Sequence, residues 1–266
     1  MDIQYFTYNN KKLAYSVTGN GPVLVLLHGF METQKIWVDF VNVLSEKYQV
    51  VTFDLPGHGD SECINQVHTM DLVADCIKAG LDNLGITNCV MVGHSMGGYA
   101  MLHFAEKYGI MLKGFVLFHS HAYADSDEAK VNRDRSCEII KKNRIAFISS
   151  FIPELFAPEN VAKYQKEIAQ LQGLVKDMTV ESIVAAQQGM KLREAKLNVI
   201  ENAKVPVLFI FGKKDPRTPL PKSMEQPALA RHSHTLIIDT GHLGYIEARK
   251  ETLHTIGSFT SLCYSL

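Results

Sequence analysis

At 266 residues the chain is long enough for one large α/β domain with an insertion. A hydrophobic share of 46% and a charged share of 21% describe an ordinary globular protein, and a formal net charge of −1 argues against nucleic acid or a membrane surface as the main partner. The five cysteines (Cys63, Cys76, Cys89, Cys137, Cys263) are odd in number and lack C-x-x-C spacing, which argues against a disulfide framework and a zinc site. The first residues show no basic segment followed by an apolar one, and no apolar run reaches membrane-spanning length. The expectation is a soluble cytoplasmic protein.

Residues 3–8 and 12–18 alternate around Asn9-Asn10-Lys11 and predict an antiparallel hairpin, because Asn tolerates the positive φ of a tight turn. Val23-Leu24-Val25-Leu26-Leu27 is continuously apolar, as a strand covered on both faces should be, and ends in His28-Gly29-Phe30. Residues 35–47 fit an amphipathic helix with Ile36, Phe40, Val43 and Leu44 on one side. Strand 50–53 runs into the turn-rich loop Asp54-Leu55-Pro56-Gly57-His58-Gly59-Asp60-Ser61. A helix over 69–84 stops at Gly85, and strand 89–93 follows.

That strand leads into Gly93-His94-Ser95-Met96-Gly97-Gly98, and a helix to about Tyr108-Gly109 leads out. G-x-S-x-G between a strand and a helix is the pattern of a nucleophile elbow. The abrupt turn strains the central residue and pushes its side chain outward, so glycine fits at 93 and 97. Ser95 then sits at a helix N-terminus, where free N–H groups favour negative charge. Residues 115–118 form a further buried strand.

Between 121 and 202 strands vanish and helical segments dominate, one starting at Ser126 and another running from Thr179 to about Gly189. Strand logic resumes at 205–211, ending in Gly212-Lys213-Lys214-Asp215. The last strand, 235–238, is followed by Gly241-His242 and a helix over roughly 245–258. Alternating strands and helices predict a mostly parallel sheet with helices on both faces and ligands bound beyond the carboxyl ends of the strands. The ends at His28, Ser95, Asp215 and His242 would share that edge.

A serine hydroxyl needs a neighbouring base, and that base needs a third group to fix its tautomer. The chain order Ser95, Asp215, His242 supplies all three as nucleophile, acid and base. An oxyanion needs two donors, expected from the N–H groups of Met96 and Phe30. Met31, His119, His121, Phe147 and Phe151 are candidates for the substrate pocket.

Together these five segments, from His28-Gly29-Phe30 to Gly241-His242, resemble the α/β-hydrolase superfamily. The resemblance implies an eight-stranded, mostly parallel sheet, a core formed by 1–120 and 203–266, and a helical cap over 121–202. It implies a serine hydrolase that cleaves a small or medium carboxylic ester through an acyl-enzyme, with no cofactor, no metal and no nucleic-acid or membrane partner. Serine at the elbow argues against dehalogenase and epoxide hydrolase chemistry, which relatives perform with a carboxylate there. Carbon–carbon bond hydrolysis, acyl transfer and perhydrolysis use the same triad, and a slow-turnover receptor is the rival from another class.

Other residues carry plainer expectations. His58 belongs to a turn, His28 braces its loop and His94 faces the core or the residues just behind the site. His119-Ser120-His121 and His232-Ser233-His234 resemble metal pairs but have no carboxylate or Cys at ligand spacing. Asp125 is a rival acid, Asp239 a turn cap, and Arg193 and Arg217 are surface residues or contacts for an acidic substrate group.

Overall fold

The computed structural model describes residues 1–266. Eight strands form one sheet: β1 (Gln4–Tyr8), β2 (Lys11–Thr18), β3 (Val23–Leu27), β4 (Gln49–Phe53), β5 (Cys89–His94), β6 (Leu112–Phe118), β7 (Val207–Gly212) and β8 (Ser233–Ile238). Their spatial order is β1-β2-β4-β3-β5-β6-β7-β8. Asn9 (φ 48°) and Asn10 (φ 61°) make the hairpin turn, and β2 pairs antiparallel with both β1 and β4. From β4 onward every pairing is parallel. The central strands are continuously apolar because both faces are covered: Leu24–Leu27 and Cys89–Val92 are wholly buried. Each large side chain there contributes about 1.5–3 kcal/mol of burial free energy.

Helices α1 (Val38–Leu44), α2 (Met70–Asn83) and α3 (Met96–Tyr108) connect the first six strands. Thr69 caps α2 by accepting from Leu72 N–H, and α2 packs against α3. The helix expected over 35–47 is shorter. Residues Gln34–Trp37 form a 3₁₀ turn capped by Thr33, and α1 starts only at Val38. A 3₁₀ turn advances three residues rather than 3.6, so it rotates the apolar phase. Trp37 and Val41 turn inward, and Val43, expected inside, is 48% exposed.

The chain leaves the sheet after β6 and returns at β7. Between them lie α4 (Asp127–Phe151), α5 (Gln165–Val175), α6 (Val180–Leu192) and α7 (Leu197–Glu201). α4 is broken at Asn143 (φ −154°, ψ 83°), whose side chain accepts from Ala146 N–H and so caps a second helical segment. α6 lies directly on the loop before α2. His68 N–H donates to Ala185 O (3.0 Å), and a Cβ at Gly189 would overlap the His68 carbonyl.

β7 starts at Val207 because Pro206 has no N–H to give the ladder. The short α8 (Leu220–Ser223) precedes β8. The expected C-terminal helix is two: α9 (Gly244–Glu247) and α10 (Arg249–Ser265), separated by Ala248 at φ −135°. α10 packs on β6, where Gly114 faces Cys263, and Tyr48 O–H donates to Gly257 O (3.0 Å). No helix is long and apolar enough to cross a membrane.

Candidate active site

Ser95 stands between β5 and α3 at φ 50° and ψ −116°, a conformation a side-chain-bearing residue adopts only when its surroundings enforce it. The ladder bond Ser95 N–H to Phe118 O (3.0 Å) and the bond from Ser120 Oγ–H to Ser95 O (2.8 Å) hold it there. The neighbouring glycines are required sterically. A Cβ on Gly93 would strike the Gly98 backbone, one on Gly97 the carbonyls of Leu27 and His28, and one on Gly98 the Ser120 side chain.

His242 follows β8 and presents Nε2 at 2.8 Å from Ser95 Oγ. Its own N–H donates to Leu155 O (2.7 Å), and Gly241 N–H donates to Glu247 Oε1 (3.0 Å). Glu247 also accepts from Ala157 N–H and Asn160 Nδ2, so the base-bearing loop is tied to the stretch after α4.

Asp215 ends the turn after β7. His242 Nδ1 lies 2.8 Å from Oδ2 and 3.0 Å from Oδ1. Oδ1 also accepts from Arg217 N–H (2.8 Å) and Thr218 N–H (3.0 Å), and Oδ2 from Thr218 Oγ1 and from His119 Nδ1 (2.9 Å). Burial pushes the Asp215 carboxyl up, but the electrostatic pull of His242 and the bonds from His119 and His242 outweigh it and hold the group well below the usual carboxylate range. An ionised carboxylate only accepts, so both imidazoles donate from Nδ1 and His242 Nε2 is left to accept from Ser95.

His119 was expected at the pocket wall. It is instead fully buried behind the triad, sharing Asp215 with His242, at a backbone φ of 48°. Burial lowers its pKa to about 4, against the pull of Asp215. His119, Asp215 and His242 bring one ligand atom each within 4.8 Å, which is the spacing of a carboxylate bridging two imidazoles. The spacing of His119 and Asp215 along the chain gives no hint of this contact.

A second buried pair lies beneath the elbow. Glu32 accepts from Gly29 N–H (2.6 Å), Tyr245 O–H (2.8 Å) and His94 Nδ1 (2.9 Å). His94 Nε2 lies 3.0 Å from His242 O. Both His94 nitrogens face acceptors, so both must donate, which defines an imidazolium. Burial raises the Glu32 pKa, but His94, Tyr245 and Gly29 bring it down to about 2. Burial lowers the His94 pKa, yet Glu32 raises it above its ordinary value.

The pair therefore links the loop after β3, the elbow and the base. Glu32→Gln should destabilise the fold by about 3 kcal/mol at pH 7, the cost of leaving one member of a buried ion pair alone, read as a lower urea midpoint. The Glu32 pKa is depressed from 4.5 to about 2. Its contribution is therefore complete above its unfolded value and fades as pH falls through about 2, so the gap between wild type and variant should close on acidification. Equal midpoints at pH 7 would refute the assignment.

Phe30 lies in the loop after β3, and neither its N–H nor that of Met96, the first residue of α3, bonds elsewhere in the chain. Ser95 and His242 open into a cavity of about 540 Å³. Phe30, Phe147, Phe151 and Leu155 form one wall, and Tyr99, His121, Asp125, Arg133 and Arg193 belong to another. Phe151 sits edge-on to Phe30 (5.6 Å between centroids) and stacks on Phe147 (5.4 Å).

Met31 was also expected in the wall. It is wholly buried at φ 56° in the core and is absent from the cavity. Arg193 is buried rather than on the surface, and with Arg133 it clamps Asp125, which makes no contact with His242. Arg217 pairs with Glu154 (2.9 Å), and Asp239 pairs with Lys214 (3.1 Å). His28 braces its loop as expected: its Nε2 accepts from Leu55 N–H (2.9 Å).

The family model described as alpha/beta hydrolase fold matches residues 22–136. Among solved structures, the chain is similar to a thermophilic esterase from Thermogutta terrifontis, with malate bound, at 28% identity and a TM-score of 0.93 over 99% of both chains. It also superposes on an enol-lactonase from Burkholderia xenovorans at 21% identity and a TM-score of 0.90, over 97% of this chain and 100% of that one. Among curated proteins, a 2-hydroxy-6-oxononadienedioate/2-hydroxy-6-oxononatrienedioate hydrolase from Paraburkholderia phymatum is 28% identical over 79% of this chain and 76% of its own. An uncharacterized Mycobacterium tuberculosis protein is 27% identical over 43% of this chain, and the match spans only 34% of that relative's length.

Proposed function

Because the chain belongs to the α/β-hydrolase superfamily, we propose that it is a serine hydrolase cleaving a small or medium carboxylic ester through an acyl-enzyme. The observation that carries this reading is the continuous series Ser95 Oγ, His242 Nε2, His242 Nδ1 and Asp215, each contact at 2.8–3.0 Å. His242 takes the Ser95 proton as Oγ attacks the carbonyl. The oxyanion is met by the free N–H groups of Phe30 and Met96. The imidazolium then protonates the departing alcohol, and water repeats the sequence with His242 as base. Residues 121–202 serve as the cap that walls the acyl pocket, and His121, Phe147 and Phe151 line it. The reaction uses no cofactor or metal and acts on a small molecule, with no nucleic-acid or membrane partner, in the cytoplasm.

The similarity to a hydrolase named for 2-hydroxy-6-oxo dienedioate and trienedioate substrates, which carry a ketone and no ester, favours one second reading, hydrolysis of a carbon–carbon bond beside a ketone, as in a β-diketone, by the same residues. Rapid-quench kinetics with 4-nitrophenyl butyrate separate the readings. A burst of about one 4-nitrophenolate per active site, followed by sustained turnover, is expected. The absence of any ester turnover, with cleavage of a β-diketone, would transfer the assignment to the second reading.

A further inference from the structure

The cavity lining around Tyr99 and His121 is not apolar. It carries two guanidinium groups and one carboxylate. Asp125 pairs with Arg133 Nε and, at 2.6 Å, with Arg193 Nη1. Arg193 is held further by the carbonyls of Met190 (2.8 Å) and Tyr123 (3.2 Å), and its guanidinium lies 4.0 Å over the Tyr99 ring. Arg133 is the freer of the two: its side chain is 20% exposed, and beyond Asp125 it reaches Gln187 Oε1 (2.8 Å).

The neighbouring hydrogen bonds fix a donor as well. Tyr123 N–H donates to His121 Nδ1 (3.2 Å), so the neutral His121 ring carries its proton on Nε2, which donates to Tyr99 Oη (3.3 Å). The Tyr99 hydroxyl proton is thereby left for the cavity that Tyr99 lines. Tyr99 lies four residues beyond Ser95, the N-cap of α3, about 6 Å along the helix. One positive charge in excess, in a partly desolvated wall, is stabilised by an anion and offers little to an alkyl chain.

We propose that the acid end of the substrate binds here: the preferred ester is a half-ester of a short dicarboxylic acid, its free carboxylate on Arg133 and Tyr99 and its ester carbonyl at Ser95. This specificity rests on the hydrolase reading above. The placement of Tyr99 one helical turn beyond Ser95 favours short acyl chains, of roughly four to six carbons.

The test uses the mono-4-nitrophenyl esters of succinic, glutaric and adipic acids, each beside its neutral methyl diester. The intact protein should favour at least one half-ester over its methylated partner by tenfold or more in kcat/KM, and 0.5 M NaCl should narrow that ratio. Arg133→Gln should lower the ratio at least tenfold, and Arg133→Lys should recover part of it. Equal or better turnover of all the methyl diesters would overturn the proposal and leave the hydrolase reading standing. Failure to cleave either series would remove both. Should Arg133→Gln fold poorly by circular dichroism, competitive inhibition of the wild type by glutarate but not by the uncharged diamide glutaramide decides the question: its presence supports the proposal and its absence overturns it.

Discussion

Ser95→Ala should lower kcat for 4-nitrophenyl butyrate by roughly 10⁶-fold while KM moves little, because the hydroxyl acts in bond formation and not in ground-state binding. Ser95 Oγ is the only atom at 2.8 Å from His242 Nε2 with a bond to make, and no other hydroxyl contacts that nitrogen. Removing it leaves the base with nothing to activate except water. Members of a catalytic triad act as a unit, so Ser95→Ala combined with His242→Ala should be no slower than Ser95→Ala alone. Steady-state rates on protein purified free of host esterases check both statements. A loss below tenfold for Ser95→Ala would refute the nucleophile assignment.

Asp215→Asn should cost roughly 10⁴-fold in kcat, chiefly through the tautomer of His242. The carboxylate receives donors from His242, His119, Thr218 twice and Arg217. An amide has one accepting oxygen where the carboxylate has two, so its NH₂ must face groups that themselves donate. The repulsion is relieved only if His242 or His119 moves its proton to Nε2, and for His242 that blocks acceptance from Ser95. Stability should also fall, by about 1–3 kcal/mol, for the donors left unpaired in the interior. Because the folded-state Asp215 pKa lies well below its ordinary value, the group stays charged throughout the usable range. Its contribution to stability is present above the unfolded value and fades only in acid. Full activity in Asp215→Asn with an unshifted thermal midpoint would show that the carboxylate is not the group orienting His242.

What could be read from the sequence follows from local chemistry. G-H-S-M-G-G announces itself because only glycine fits the crowded positions around a strained serine, and continuous apolar runs announce buried parallel strands. Asp215 and His242 were legible because each directly follows a strand. Contacts between residues far apart in the chain were not. Glu32 sits between Met31 and Thr33 with no periodicity to mark it, and its partners His94 and Tyr245 arrive from 62 and 213 residues away. His119 reads as a strand-end residue facing the pocket, yet its positive φ turns it behind Asp215. Met31 failed for a similar reason, since a positive φ reverses the direction an extended chain would give its side chain. Val43 was misplaced because a 3₁₀ turn ahead of α1 shifts the phase by a fraction of a turn, which no count of apolar residues reveals.

The pairing of β6 with β7 has one more implication. Phe115 meets Val207 and Phe118 meets Ile210 in register, although nearly ninety residues, with four α-helices among them, separate the two strands. The frame that carries the triad is thus closed by its own ladder, independently of what the intervening polypeptide does. Because the entropy of closing a loop grows only with the logarithm of its length, a change in the length of that stretch costs the frame little in closure entropy. The tethers from Leu155, Ala157 and Asn160 to the base-bearing loop mark where such a change must preserve its junction.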